Sequence, residues 1–279
     1  MNASRPASPA RRLRRLVRRR APSPAAPILK SPEEIEALRR SGRLVAEAFA
    51  RLEAAIAPGV RLVDLDRIVA AFIAERGAEP LYLNYRGSPP THPPFPGVIC
   101  ASVNDEVCHG IPDDRALVEG DIVGIDIGLR LDGWCGDSCV TFPVGRVGPE
   151  AERLLEIART CLELGIRAAQ PGRHLGDIGA AVQRHAERHG TSVVTAWGGH
   201  GLGRDLHEPP SVGHTGQSGT GLALVPGMVF TIEPMINAGG ADCVLSDDGW
   251  TVATADGRLS AQFEHTVAIT DHGPRILSA

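Results

Sequence analysis

Apolar residues along this chain fall into two registers, one of helical period and one of period two. After Ser31-Pro32-Glu33-Glu34, the residues Ile35, Leu38, Val45, Phe49, Leu52 and Ile56 recur at roughly helical spacing as far as Pro58-Gly59. Ser31 can cap this segment, Pro32 suits its first turn and Glu34 completes a capping box, so order is expected to begin at Ser31. A second helix is expected from about Leu65 to Arg76, stopped by Gly77. A comparable pair covers about Glu150 to Ala169 and Gly176 to His189, with Pro171-Gly172 between them. Laid over each other, the two pairs match at an offset of 113 residues: PGVRLVDLDRIV at 58–69 lies over PGRHLGDIGAAV at 171–182, and Gly77 over Gly190. Each pair is followed by period-two segments. This predicts an α+β fold of two pseudo-symmetric helix-helix-strand halves, with any site at their junction drawing side chains from both.

Three strand-like segments carry ionisable residues. DIVGIDIGLRLDGWCGDSCVTF at 121–142 alternates, turns at Asp132-Gly133 and alternates again. A two-residue loop there pairs positions whose numbers sum to 265, which sets Asp126 opposite Cys139 and Asp137 opposite Gly128. Both carboxylates then share a face as diagonal neighbours, within about 7–8 Å at the backbone. GMVFTIEPM at 227–235 and SAQFEHTVAI at 260–269 read as apolar strands with Glu233 and Glu264 inside them. In GGHGLGRDLHEPP at 198–210, the glycines and prolines predict a turn or loop holding His200 and His207. His207-Glu208 does not continue into the helical zinc motif HExxH.

Composition narrows the class. The chain has 279 residues, 43% of them hydrophobic, and no apolar run approaching the length of a membrane span, so a soluble globular protein is expected. Six cysteines stand without a CxxC pair, which argues against a zinc ribbon or a disulfide framework and for reduced, buried thiols. Net charge is −4, yet residues 1–30 hold eight arginines and one lysine with no acid, leaving −13 for residues 31–279. Residues 1–30 are therefore expected to form a basic, disordered N-terminal extension to a single domain at 31–279. An RNA-binding arm, an organellar targeting segment and a seldom-used upstream start are the other readings of that extension. No signal-peptide core precedes a cleavage site, so the cytoplasm is the expected location.

Two isolated aspartates would be read as solvated residues on an open strand face. A carboxylate within an apolar strand, however, is costly unless paired. Two such glutamates, a same-face aspartate pair and a histidine in a glycine-rich loop make an oxygen-rich set with one imidazole. That set suits two hard or borderline divalent ions.

The segments SVNDEVCHGIP, IDIGLRLDGWCGDSC, GGHGLGRDLHEPP, FTIEPM and GWTVATADGRLSAQFEHT, in this order, resemble the type I methionine aminopeptidases, M24 metallopeptidases of the pita-bread (creatinase/aminopeptidase) fold, two pseudo-symmetric halves around a central antiparallel sheet. The resemblance runs from about residue 31 to the C terminus. It implies that Asp126, Asp137, His200, Glu233 and Glu264 are metal ligands, with Asp137 and Glu264 shared between two ions. It makes His109 and His207 catalytic histidines that also bind substrate, with Glu233 the candidate for proton transfer and His207 for oxyanion stabilisation or positioning of the scissile amide. Tyr85, Phe95, Cys100 and Trp250 match positions that wall a methionine pocket. Leu206 stands where relatives usually carry phenylalanine, and SPPTHPP at 88–94 looks like an insertion at the rim.

The implied activity is removal of the initiator methionine from nascent polypeptides whose second residue is small. Two divalent ions (Co, Mn, Fe or Zn) are the implied cofactors. Nascent N termini are the expected partners, with ribosome or rRNA contact through the basic tail, no membrane, and a monomeric state. A proline-directed pita-bread peptidase is the nearest alternative, although those resemble longer chains with an extra N-terminal domain. A non-catalytic binding member of the fold would be marked by lost ligands, and all five positions are filled. A type II enzyme would carry a sizeable insertion after His207, where only 25 residues precede Glu233.

Overall fold

The computed structural model describes residues 26–87 and 90–279, together with the backbone of Arg14–Arg15. The expectations for the extension up to residue 25 otherwise lie outside the described residues. Helix α1 (Pro32–Glu53) opens with the expected box: the Ser31 hydroxyl accepts the Glu34 N–H and the Glu34 carboxylate accepts the Ser31 N–H. Helix α2 (Leu62–Glu75) starts three residues before the expected Leu65, because Leu62 is buried and Asp64 places an acid in the first turn, where the helix dipole favours it. Helices α3 (Pro149–Ala168) and α4 (Leu175–Arg188) form the second pair.

The repeat is structural. Helices α2 and α4 span residues 62–75 and 175–188, a constant displacement of 113. Their N-terminal flanks pair with later chain at equivalent bridges, Arg61 with Ala116 and His174 with Ala223. Both end before a glycine in the left-handed region, Gly77 at φ 65° and Gly190 at φ 71°.

Each helix pair covers its own antiparallel sheet. In the first half, strands Ile122–Leu131 and Trp134–Pro143 form the expected hairpin, with Asp126 opposite Cys139 and Asp137 opposite Gly128. The turn has positive φ at both Asp132 and Gly133, as a tight two-residue hairpin loop requires. Strands Glu79–Pro80 and Ile99–Val103 share the other edge of Ile122–Leu131. Leu52, Leu65 and Phe72 of the helices pack on Val123, Ile125 and Ile127 there. In the second half the strand order is Gly273–Ile276, His265–Thr270, Val229–Ile232, Gly199–Gly201, Glu208–Val212, and Leu154, Ile178 and Val182 pack on Phe230, Ile232 and Val267. All six cysteines are free and buried, as expected.

Two expectations need correction. Neither glutamate lies within a continuous strand: the first run divides into Val229–Ile232 and Met235–Asn237, the second into Ser260–Gln262 and His265–Thr270. The pieces pair with each other on either side of the break, so Glu233 and Glu264 sit where two neighbouring strands both pass from one sheet to another. Leaving the ladder frees their side chains to turn inward, and Pro234 has no N–H to offer it. The stretch read as a loop contains a short strand, Gly199–Gly201, which carries His200. Its glycines serve close packing: a Cβ at Gly199 would stand 2.2 Å from the Thr231 carbonyl oxygen, and one at Gly201 2.2 Å from that of Pro209.

The segment leading into α1 is anchored to the second histidine segment. Lys30 Nζ lies 2.5 Å from Glu208 Oε2, with side-chain exposures of 4% and 7%. Glu208 Oε1 accepts the N–H groups of Arg204 and Asp205. Lys30→Met would strand a buried carboxylate, and we expect it to lower unfolding stability by ~3–5 kcal/mol. Urea denaturation checks this, and a loss under about 1 kcal/mol, the scale of an exposed pair, would show that solvent replaces the lysine.

Candidate metal centre

The hairpin brings Asp126 and Asp137 together, and Tyr82 joins them. Its hydroxyl lies 2.6 Å from Asp126 Oδ1 and 2.7 Å from Asp137 Oδ1. A phenol has one proton to donate, so one of the carboxyls must supply the other. Burial, then repulsion from Asp137, raises Asp126 well above the usual carboxylate range. Burial also raises Asp137, opposed first by the neighbouring His200.

His200 Nε2 stands 3.5 Å from Asp137 Oδ2 and 3.6 Å from Glu233 Oε1. Its Nδ1 is 3.1 Å from the Gly201 carbonyl oxygen, which can only accept, so the ring proton belongs on Nδ1. The Nε2 lone pair then faces the carboxylates, the orientation a metal-binding imidazole needs. Thr231 links the same elements: its Oγ1 accepts the His200 N–H at 3.0 Å and donates to Glu233 Oε1 at 2.7 Å. Burial raises Glu233, against the opposing effects of His200 and Thr231.

Glu264, 2% exposed, completes the group. The Ser138 hydroxyl donates to its carbonyl at 2.5 Å and fixes its backbone, but its buried Oε1 has no hydrogen-bond partner. Burial and the charges of Asp137, Glu233 and Asp126 raise its carboxyl well above the usual range. Ligand atoms of Asp137, His200 and Glu264 all lie within 4.8 Å of one another. Buried carboxylates that repel, an oxygen without a donor and an imidazole lone pair aimed at them fit a divalent cation. Asp126 joins this group through Asp137 and Tyr82.

The two other histidines flank it. His207 is open to the cleft, its ring centroid 4.3 Å from that of His200, with Nδ1 2.9 Å from the Tyr85 hydroxyl. Desolvation, then the neighbouring His200 and His109, lowers its pKa, so the ring is neutral at pH 7. His109 follows strand Glu106–Cys108 at φ 56°, edge-on to Trp250 and Trp197. Burial, with a smaller effect of His92, pushes it down to about 4. Phe95, Cys100, Leu206 and Trp250 fall in one buried apolar cluster, with Tyr85 packed against it. All twelve residues singled out from the sequence thus gather around one place.

Three residues escaped the sequence reading. Tyr82 lies in a turn without a motif. His92 comes from the proline-rich stretch at 88–94: its ring centroid is 4.7 Å from that of Trp250, and its Nδ1 bonds the Gly249 carbonyl at 2.9 Å. His214 is buried and neutral, pushed down to about 3, and its Nε2 accepts the Glu233 N–H at 3.0 Å. The one sequence signal was for His214, which lies seven residues beyond His207, just past the end of the segment at 198–210.

Residues 36–271 match metallopeptidase family M24. The chain belongs to that family. Divalent-metal use comes with membership in this family of metallopeptidases. Among the M24 relatives, methionine aminopeptidase A of Synechocystis sp. is 46% identical over 251 residues, 90% of this chain and 96% of its own. The crystal structure of methionine aminopeptidase from Rickettsia prowazekii superposes with a TM-score of 0.87 at 43% identity, over 91% of this chain and all of that one. A prolidase from Pyrococcus horikoshii shares the pita-bread fold, with a TM-score of 0.71 at 21% identity, but only 63% of its chain is covered. The fold expected from the sequence is therefore the fold observed.

Carboxyls held above their usual range retain protons that a cation must displace. Affinity for a divalent ion should therefore rise with pH and fall as pH falls, by about tenfold per pH unit for each proton released. Calorimetric titration of metal-stripped protein with Mn²⁺ at about pH 6 and about pH 8, in buffers of different ionisation enthalpy, measures both affinity and protons. Equal affinity at both values, with no proton release, would contradict the raised carboxyls.

Proposed function

We propose that this protein is a methionine aminopeptidase that removes the initiator methionine from nascent polypeptides when the second residue is small, using two divalent ions bound by Asp126, Asp137, His200, Glu233 and Glu264. The observation that carries this reading is the meeting of that carboxylate–imidazole group, two neutral histidines and a buried apolar cluster at one place. Ions held there supply Lewis-acid polarisation of the scissile carbonyl and activation of a water. The chain's own groups do the rest.

Glu233, its carboxyl raised by burial, is the group placed to take and pass a proton. Tyr85, its phenol kept protonated by burial, donates to His207 Nδ1 and leaves the ring proton on Nε2. A neutral donor there can stabilise an oxyanion without first losing a charge-compensating partner. His109, also neutral, contacts the scissile amide or the departing residue. Phe95, Cys100, Leu206, Trp250 and Tyr85 offer soft, apolar contacts suited to a thioether. We further read the protein as a cytoplasmic monomer.

The test is release of the N-terminal residue from Met-Ala-Ser, Met-Lys-Ser, Leu-Ala-Ser and Ala-Pro-Ser by metal-stripped protein with and without Mn or Co. Metal-dependent release confined to Met-Ala-Ser is expected. Cleavage of Ala-Pro-Ser instead would indicate a proline-directed enzyme, and no cleavage under any metal a binding protein.

The basic extension supports contact with ribosomal RNA, since nine cations without an acid precede a body of net charge −13. A chain lacking residues 1–27 keeps Lys30 and should hydrolyse Met-Ala-Ser unchanged while losing salt-sensitive RNA association. Undiminished RNA binding by the shortened chain would remove that role.

A further inference from the structure

The acidic group has two unlike sides. On one side, the His200 Nε2 lone pair faces Asp137 Oδ2 and Glu233 Oε1, and the Glu264 carboxylate beside them keeps a buried oxygen without a hydrogen-bond partner. On the other, the Tyr82 hydroxyl fills the gap between Asp126 Oδ1 and Asp137 Oδ1, at 2.6 and 2.7 Å. This placement is built into the fold. Leu81 donates its N–H to the Gly128 carbonyl at 3.0 Å, which docks the turn on the hairpin strand. Gly128 faces Asp137 across the ladder, and a Cβ on it would stand 2.8 Å from Tyr82 Cε1 and 2.9 Å from Cζ. Only a glycine at that position lets the phenol reach both carboxyls.

A divalent ion such as zinc takes carboxylate oxygens at ~2.0–2.2 Å. An ion drawing on the same two Oδ1 atoms at such distances would sit where the hydroxyl already hydrogen-bonds to both. Resting on the two-ion reading above, we infer that the Tyr82 hydroxyl competes with a divalent cation for the gap between Asp126 and Asp137, so that one ion enters the open side freely and the second binds only by displacing Tyr82. Tyr82 thereby sets how far the second ion's affinity falls below the first's.

The experiment is calorimetric titration of metal-stripped wild type and Tyr82→Phe with Mn²⁺. The first ion is expected to bind both proteins within about threefold of the same affinity, and the second to bind Tyr82→Phe at least tenfold more tightly than wild type. An unchanged or weaker second site in the variant overturns the inference, since the hydroxyl would then be idle or would orient the carboxylates for the ion. Two equally tight ions in wild type overturn it as well.

A second measurement needs no variant at residue 82. The chain has two tyrosines, so ¹³Cζ-tyrosine labelling gives two signals, which Tyr85→Phe assigns. The second equivalent of diamagnetic Zn²⁺ should move the Tyr82 signal away from its hydrogen-bonded position, and a Tyr82 signal indifferent to that equivalent overturns the inference. Failure to cleave methionyl peptides would fall on the proposed activity and would leave both cation readouts to decide the role of Tyr82.

Discussion

Glu264→Gln should cut turnover of Met-Ala-Ser by about a thousandfold or more, ~4 kcal/mol in the barrier. The substitution keeps shape and volume and removes one negative charge from a position 2% exposed. Glu264 Oε1 is the one buried oxygen of the group left without a hydrogen-bond partner, so a cation is its natural counterpart. A glutamine amide can offer an uncharged oxygen at most, and that weakens cation binding where ligand charge counts. Misfolding is not the expected cause. The repulsions on Glu264 from Asp137, Glu233 and Asp126 disappear in the variant, so its metal-free form should unfold at a temperature no lower than metal-free wild type. Elemental analysis of bound metal, turnover and the two melting curves together decide the point. Near-normal turnover at full metal occupancy would remove Glu264 from the site.

His207→Ala should slow turnover by ~10²–10³-fold, the scale of losing one oxyanion donor, with bound metal unchanged. His207 lies beside His200, at 4.3 Å between ring centroids, but its bond is to the Tyr85 hydroxyl rather than to the carboxylates. Losing it therefore removes a proton donor from the cleft without emptying the ligand set. A neutral hydrogen-bond donor matters most as charge develops in the transition state, so kcat should fall far more than KM rises. A variant that loses metal in proportion to activity would instead make His207 a support for the ligands.

Much of this architecture was legible because local chemistry repeats it. The capping box at Ser31, the turn residues Asp132-Gly133 and the glycines ending α2 and α4 each act over a few residues, and each appears where the sequence puts it. The hairpin register followed from counting across a two-residue loop, which is why the Asp126–Asp137 pairing could be drawn before any coordinates. The candidate ligand positions were recognisable as a set of motifs in order. Their geometry was another matter: Glu233 and Glu264 looked like intruders in unbroken strands, and both mark the point where paired strands change sheets.

Sequence by itself determined the helix pairs, their repeat, the hairpin and the residues able to bind a cation, because those depend on period, turn type and side-chain chemistry within short windows. Tertiary structure alone decided which oxygen faces which partner. Tyr82, His92 and His214 reach the site through contacts beyond their own segments, to Asp126 and Asp137, to Gly249 and Trp250, and to the Glu233 N–H. No period or motif encodes such contacts, since they arise only when segments that are not neighbours in sequence pack together and the shape of one selects the partners of the other.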